Sequence, residues 1–453
     1  MVVVKQPPGP KGHFLLGNIP DYRRGQLEFL ERCAREYGDI VRLRLGYHRI
    51  FLVNHPDAIE EVLVTKSRNF IKHFALRLTP LLLGNGLLLS EGDFYLRQRR
   101  MVQPAFNRTR LAAYAAIMVE VAQNTLATWS PGETRDMAVE MMRITLEIAA
   151  RTLFGSEVAQ ETQEIDKALQ FLQESYLARF NSFYPTPIWI PTPANLRMRK
   201  ATRGLDQIIY RFIEQRRRSG ADRGDLLSML LHARDEEDGG RMTDRQVRDE
   251  AMTLFLAGHE TTALTLSWTW YLLATHPEVE ERLATEVRIA LADRLPTIDD
   301  LPRLPYLTWV VQESMRLYPP VYTIGREARA ECEVGGYQVP KGTTILMNQW
   351  IVHRDGRFFK QPEQFIPERW AGDFALGLPK YAYFPFGGGP RLCPGNLFAM
   401  MEAMLILAMI TQGYHFTLLP GHQVVPWAPL TLRPQGGIPA VVTRRADVLP
   451  VAA

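Results

Sequence analysis

A cysteine sits inside a glycine-rich decapeptide, Phe386-Gly387-Gly388-Gly389-Pro390-Arg391-Leu392-Cys393-Pro394-Gly395. Three consecutive glycines build neither a stable helix nor a strand, so the segment reads as a loop held in unusual backbone angles. It presents Cys393 with Arg391 two positions earlier, and an apolar helix is expected from Leu397 to Ile410. A cysteine at a helix N-terminus and beside an arginine is readily kept as thiolate, because both favour negative charge. Backbone N–H groups in a glycine loop can point at its sulfur unobstructed. That makes Cys393 a candidate ligand for a soft metal; the plainer alternative is a glycine-rich surface turn that happens to hold a cysteine.

A second unusual stretch lies well upstream. Thr243-Asp-Arg-Gln246 has the spacing of a capping box and opens a helix expected to run to about Thr275. Its apolar middle is interrupted by Ala257-Gly258 and by the acid–alcohol pair Glu260-Thr261. Glycine inside a helix costs about 1 kcal/mol against alanine. Local rules broken in this way mark functional sites, although a helix bend stabilised by threonine back-bonding would also account for them.

Together these stretches resemble a known family. Phe386-x-x-Gly-x-Arg391-x-Cys393-x-Gly395 is similar to the haem-binding loop of the cytochromes P-450, the standard case of cysteine-ligated haem. Ala257-Gly258-His259-Glu260-Thr261 resembles that family's helix on the distal side of the iron. The resemblance implies a cytochrome P-450 fold, mainly α with a smaller β-rich lobe, holding haem b between the 243–275 helix and the 386–395 loop. It makes Cys393 the iron ligand. Ala257 and Gly258 leave room for O2, Thr261 hydrogen-bonds the oxygen and Glu260 relays protons from solvent. His259 is expected to be only a neighbour.

The elements around these stretches read consistently. Tyr95 and Arg99 share a helix face at four-residue spacing. In the resembled family that pair hydrogen-bonds a haem propionate; Tyr95 departs from the usual residue but keeps a donor. Arg326 and Arg391 match further propionate-binding arginines, a fixed cationic fork being well suited to carboxylates. Phe386, Gly387 and Gly395 complete the cofactor loop. Glu313 and Arg316, with Arg369, resemble a buried structural cluster that supports that loop, and Trp370 stands where phenylalanine is commoner. Runs of β-prone residues near 38–54 and 320–350 are the expected strands. Phe70–Leu89 reads as an aperiodic apolar loop, Asp235–Gly240 as a solvated linker, and Pro185–Pro193 as a proline-rich loop, which the resemblance makes a cap over the access route and which is otherwise a loop packed on its own protein.

The totals exclude other classes. At 453 residues and 46% apolar the chain can bury a large core, and residues 1–453 are expected to form one catalytic domain. A formal charge of +4, from 53 basic and 49 acidic residues, is too mild for a nucleic-acid binder. Three cysteines, Cys33, Cys332 and Cys393, make no disulfide framework. The opening Met-Val-Val-Val-Lys-Gln-Pro-Pro is too short for a membrane span, so no transmembrane anchor and a cytoplasmic location are expected.

The resemblance therefore implies a monooxygenase that inserts one atom of O2 into an apolar organic substrate by hydroxylation or epoxidation. The expected pocket segments, Phe70–Leu89, Phe171–Ile190, Leu254–Thr261 and Val321–Ile324, suggest a fatty acyl, terpenoid or steroid-like molecule. Electrons would come ultimately from NAD(P)H through a separate ferredoxin or flavodoxin and its reductase. Arg97, Arg100, Arg108 and Arg110 are a candidate basic patch for that carrier. The alternatives are a peroxide-driven or rearranging haem-thiolate enzyme, whose members often lose the acid–threonine pair present here, and a non-catalytic haem or gas-binding protein.

Overall fold

In the computed structural model, residues 6–155, 162–180, 186–220, 222–237 and 239–445 are described. The β-prone run near 38–54 forms the expected hairpin. β1 (Ile40–Leu45) and β2 (His48–Val53) pair antiparallel from Ile40–Val53 to Leu45–His48, and Gly46 takes the left-handed angle that the turn demands. The two β-rich parts merge into one sheet. The strand order across it is β1, β2, β5, β4, β3, where β3 is Phe70–Lys72, β4 is Thr323–Ala328 and β5 is Thr344–Asn348. β5 runs parallel to β2 and is buried at every position, which explains its unbroken Ile-Leu-Met centre. The stretch from Phe70 to Leu89 is thus more ordered than its aperiodic sequence suggests. It opens as an edge strand and continues through short helical turns at Leu76–Leu78 and Pro80–Leu83. Pairing of Phe70 with Ala328 is a long-range contact that local pattern does not encode.

Helices make up most of the rest, matching the expected mainly α fold with a smaller β portion. α1 is Gly92–Val102, α2 Arg108–Leu126, α3 Met137–Phe154, α4 Thr162–Phe180 and α5 Pro193–Ser219. α6 (Asp244–Thr275, 32 residues) is the longest, and Thr243 caps it through the full reciprocal capping box with Gln246. It packs against α3, α5, α7 (Pro305–Leu317) and α8 (Asn396–Gly413), so few of its faces reach solvent. Two of its acids hold the loop before α1: Asp249 Oδ2 accepts from Asn85 N–H (2.9 Å) and Glu250 Oε2 from Leu87 N–H (3.0 Å). Glycine is required beside them, since a Cβ on Gly84 would lie 2.0 Å from Asp249 Oδ1 and one on Gly86 2.3 Å from Thr253 Oγ1. α8 is long and apolar enough to cross a bilayer, but 67% of it is buried inside the protein. It is a core helix.

In the acidic run expected as a solvated linker, Glu236 and Glu237 are exposed, Asp238 lies outside the described residues, and Asp235 departs from the expectation. The Asp235 side chain is buried and accepts from Arg97 Nε (3.1 Å) and from Arg100 Nε and Nη2 (3.2 and 3.1 Å), clamping α1 from outside. A carboxylate shared by two arginines is held through charge-assisted bonds, which a charge run alone cannot reveal.

Candidate functional site

The 386–395 loop is closed by Cys393 N–H donating to Phe386 C=O (3.1 Å) and Gly387 N–H to Phe384 C=O (2.9 Å). Gly389 sits at φ +63°, and a Cβ there would lie 1.9 Å from the Leu63 carbonyl oxygen; one on Gly388 would enter the Tyr381 ring at 2.4 Å. The glycines thus let the loop press onto its neighbours. At the sulfur, the Gly395 N–H and the nearby Arg99 charge lower the thiol pKa, but burial outweighs both and pushes it up. A cation bound at the sulfur would favour the thiolate.

Arg391 packs against α1. Its guanidinium lies 3.6 Å over the Tyr95 ring and pairs with Glu91, while its Nη1 is buried without a partner. Arg326 is buried close by, pushed down to about 10 by burial and then by the Arg391 charge. Lys72 and His73, neither singled out in the sequence, join them. Burial, followed by Arg326 and Arg391, holds Lys72 well below the usual lysine range. His73 falls to about 4 through burial, then through Arg326 and Lys72. Glu91, whose Oε1 accepts from Lys72 N–H (2.6 Å), is the one carboxylate among these causes. Crowded, desolvated cations with an orphaned guanidinium N–H require an anion, and a dianionic group such as the two propionates of haem meets that need. The residues present fit it.

Tyr95 and Arg99 are on α1 as expected, but both reach the loop's outer carbonyls. The Tyr95 hydroxyl donates to Pro390 C=O (2.8 Å) and Arg99 Nη1 to Leu392 C=O (2.7 Å). In this structure they pin the cysteine loop to α1, and Arg391, Arg326 and Lys72 form the buried cation cluster. No local pattern marks Lys72; its place follows from β3 pairing with β4, opposite Arg326.

On α6, Ala257 is exposed although the helix is otherwise mostly buried, and the space beside Gly258 is open. Thr261 Oγ1 donates to Ala257 C=O (2.8 Å), the back-bonded arrangement. Glu260 is gripped by residues that sequence reading did not find. Thr431 Oγ1 donates to it at 2.6 Å from the turn between β6 (Val425–Trp427) and β7 (Arg433–Gln435), and Arg433 Nε at 3.1 Å from the start of β7. His259 is buried with Nδ1 3.0 Å from Phe255 C=O, a neighbour as expected.

The support under the loop is fully built. Glu313 accepts from Arg316 Nε (2.9 Å) and Nη2 (2.8 Å), Arg369 Nε (2.8 Å), Ile366 N–H (3.0 Å) and Trp370 Nε1 (2.9 Å). Trp370 thus adds a hydrogen bond where phenylalanine would add none. Trp370→Phe should cost about 1 kcal/mol or more by leaving a buried charge short of one donor, visible as a lower denaturation midpoint. His353, another residue without a sequence signal, links this cluster to the loop. Its carbonyl accepts from Arg316 Nη1 (2.9 Å) and its Nε2 from Phe384 N–H (3.0 Å). Burial and then the Arg316 charge push His353 down to about 3 from 6.5, so the ring stays neutral and accepting. Below pH 6.5 the unfolded chain binds this proton and the folded one does not, so stability falls as acidity rises. Between pH 7 and pH 5 the loss from His353 is about 2 kcal/mol, and urea midpoints at the two pH values check it.

One surface expectation changes. Arg97 and Arg100 are committed to Asp235 and Arg110 pairs with Asp222 (3.4 Å), so the basic docking patch is largely neutralised by the protein's own acids. In the proline-rich segment, Pro185 lies outside the described residues. From Thr186 onward the loop is tied to α5, with Asn195 Nδ2 donating to Pro187 and Ile190 carbonyls (2.9 Å each) and Arg199 to Ile188 C=O (2.7 Å). Tyr322, within the expected pocket segment 321–324, points elsewhere: its hydroxyl accepts from Gln26 Nε2 (2.5 Å).

Comparison with known proteins bears on the same residues. The Cytochrome P450 family model matches residues 7–438. Cyclooctat-9-en-7-ol 5-monooxygenase of Streptomyces melanosporofaciens is 40% identical, over 90% of this chain and 88% of its own. Pentalenene oxygenase of Streptomyces avermitilis is 35% identical over 92% and 93%. Among solved structures, the haem domain of cytochrome P450DA superposes with a TM-score of 0.90 at 27% identity, covering 98% of each chain. A cyanobacterial protein solved with retinoic acid bound gives 0.88 at 26%, covering 98% of this chain and 100% of the other. With the cysteine loop, the cation cluster and the open turn of α6 in this arrangement, the chain belongs to the cytochrome P450 family and has its haem-thiolate monooxygenase fold.

Proposed function

We propose that this protein hydroxylates or epoxidises a terpenoid-like hydrocarbon skeleton at a haem b held by Cys393, Arg391, Arg326 and Lys72. The observation that carries the reading is the buried cation cluster with its orphaned Arg391 N–H, in the same loop as Cys393. The names of two relatives, an alkenol 5-monooxygenase and an alkene oxygenase, favour a terpenoid over a fatty acyl or steroid-like substrate. Haem supplies O2 binding and its reductive activation, with the thiolate favouring O–O cleavage. The chain's own residues supply the rest. Ala257 and Gly258 leave an open space; Thr261 exchanges its bond to the Ala257 carbonyl for one to a proton acceptor in that space. Glu260 returns the proton from solvent while Thr431 and Arg433 hold its carboxylate in place. Electrons come from NAD(P)H through a separate ferredoxin or flavodoxin and its reductase.

Carbocyclic alkenes and alkenols should displace water from the ferric haem and shift its Soret band; a shift only with strongly polar compounds would refute the substrate class. Glu260→Gln is expected to lower product formation on the order of 10²-fold, with reducing equivalents diverted to peroxide and an unchanged ferrous–CO spectrum. Turnover with peroxide but none with O2 and a carrier would overturn the proton-delivery reading.

A further inference from the structure

Glu260 shares a face of α6 with Leu264 and Trp268, which follow it at four-residue spacing. That face carries the turn between β6 and β7. Ala428 and Leu432 of the turn pack in one buried cluster with Leu264 and Trp268. β6 and β7 pair over only three residues each, and so short a two-stranded hairpin does not hold its own place. Its position is set at the fully buried Leu432, both of whose main-chain groups are taken up. The N–H donates to Pro320 C=O at 2.9 Å, and the C=O accepts from the Trp268 indole N–H at 2.9 Å. On either side of Leu432 stand Thr431 and Arg433, which hold the Glu260 carboxylate. Arg433 Nε also lies 3.2 Å from Thr431 Oγ1, so the two act as one clamp. The turn is therefore fastened to α6 at two points about two helical turns apart, and one of them is the acid of the candidate site.

Volume alone does not account for the indole. Phenylalanine would also pack on Tyr318, whose ring centre lies 4.2 Å from that of Trp268, and would bring no N–H to satisfy. It would leave the Leu432 carbonyl buried and unpaired, a cost that folded chains avoid. We propose that Trp268 is a positioning residue for proton delivery: by holding the Leu432 carbonyl it aims Thr431 and Arg433 at Glu260. The proposal rests on the reading of Glu260 as the proton relay. A carboxylate that passes protons one at a time must return to the same place after each transfer. A turn free to slide would leave it there for only part of the time. When the transfer is mistimed, O2 leaves with two electrons and two protons as hydrogen peroxide, and no oxygen atom enters the substrate.

The test uses haem-loaded protein with NADPH, a plant-type ferredoxin and its reductase, and the cyclic alkenol that shifts the Soret band most. Product and peroxide are counted per NADPH. Trp268→Phe should bind the alkenol and give the ferrous–CO band as the wild type does. Its product yield should nevertheless fall about 3- to 10-fold, the population shift that one hydrogen bond controls. Trp268→His can bring Nε2 to the place of the indole nitrogen but loses part of the ring that stacks on Tyr318. It should be the less stable of the two variants and the better coupled. A residue that only filled space would give the reverse order. In a Glu260→Gln background Trp268→Phe should add nothing, because the clamp then holds no relay. Hydrogen exchange of the 425–435 peptide, which needs neither substrate nor carrier, should be faster in Trp268→Phe than in the wild type. Unchanged exchange, better coupling in Trp268→Phe than in Trp268→His, or an equal further loss in the Glu260→Gln background would each overturn the positioning role. Full coupling in Glu260→Gln alone would instead refute the proton-relay reading, and the role of Trp268 with it.

Discussion

Cys393→Ala is expected to abolish the red-shifted absorption of the reduced, carbon-monoxide-treated protein and, with it, substrate oxidation. The backbone should survive, because the loop is closed by main-chain bonds from Cys393 to Phe386 and from Gly387 to Phe384 that alanine preserves. Haem retention is the informative measurement. The cation cluster of Arg391, Arg326 and Lys72 is separate from the sulfur, so the variant should still take up haem, though more weakly. The Cys393 side chain supplies the sulfur but none of the bonds that close the loop, so its loss should change the spectrum more than the fold. A red-shifted band that survives the substitution would remove the ligand assignment.

Glu313→Gln should have the largest effect on stability. Arg316 is fully buried and uses all of its donors: two to Glu313 and the others to the carbonyls of His353 (2.9 Å), Pro362 (2.5 Å) and Gln364 (3.0 Å). Removing the one carboxylate leaves two buried guanidinium groups, Arg316 and Arg369, without a counter-charge. Breaking a buried pair from one side costs about 3–5 kcal/mol, a large share of a stability of about 5–15 kcal/mol. Expression as aggregate, or a sharply lowered urea midpoint with haem loss, is the expected result. Arg316→Lys should come close to it, since three donors cannot serve five acceptor contacts. A Glu313→Gln protein with the wild-type midpoint would show that the cluster is dispensable.

The long α6 helix, its capping box, the β1–β2 hairpin and the cysteine loop were all legible from the order of residues. Each is specified locally: Thr243 and Gln246 are three apart, and the glycines and Cys393 lie within one decapeptide. What could not be read is what meets across the sheet or between distant segments. Lys72 reaches Arg326 because β3 pairs with β4, and Glu260 meets Thr431 and Arg433 although about 170 residues separate them. Arg97 and Arg100 looked like a docking surface because Asp235, far along the chain, could not be seen to neutralise them.

By itself the sequence determined the chemistry on offer: one cysteine in a glycine loop, an acid–alcohol pair in an apolar helix, and arginines at usable spacings. Those features depend on residue type and on neighbours within a turn or two, where propensity, capping and glycine's freedom act. The tertiary structure alone decided which charges face one another. It paired Arg391 with Glu91, gave Tyr95 and Arg99 to the loop carbonyls, and crowded Lys72 against Arg326. The reason is physical: desolvation and Coulomb forces depend on distance in space, and a chain folded through a parallel β2–β5 pairing brings together residues that its order keeps apart.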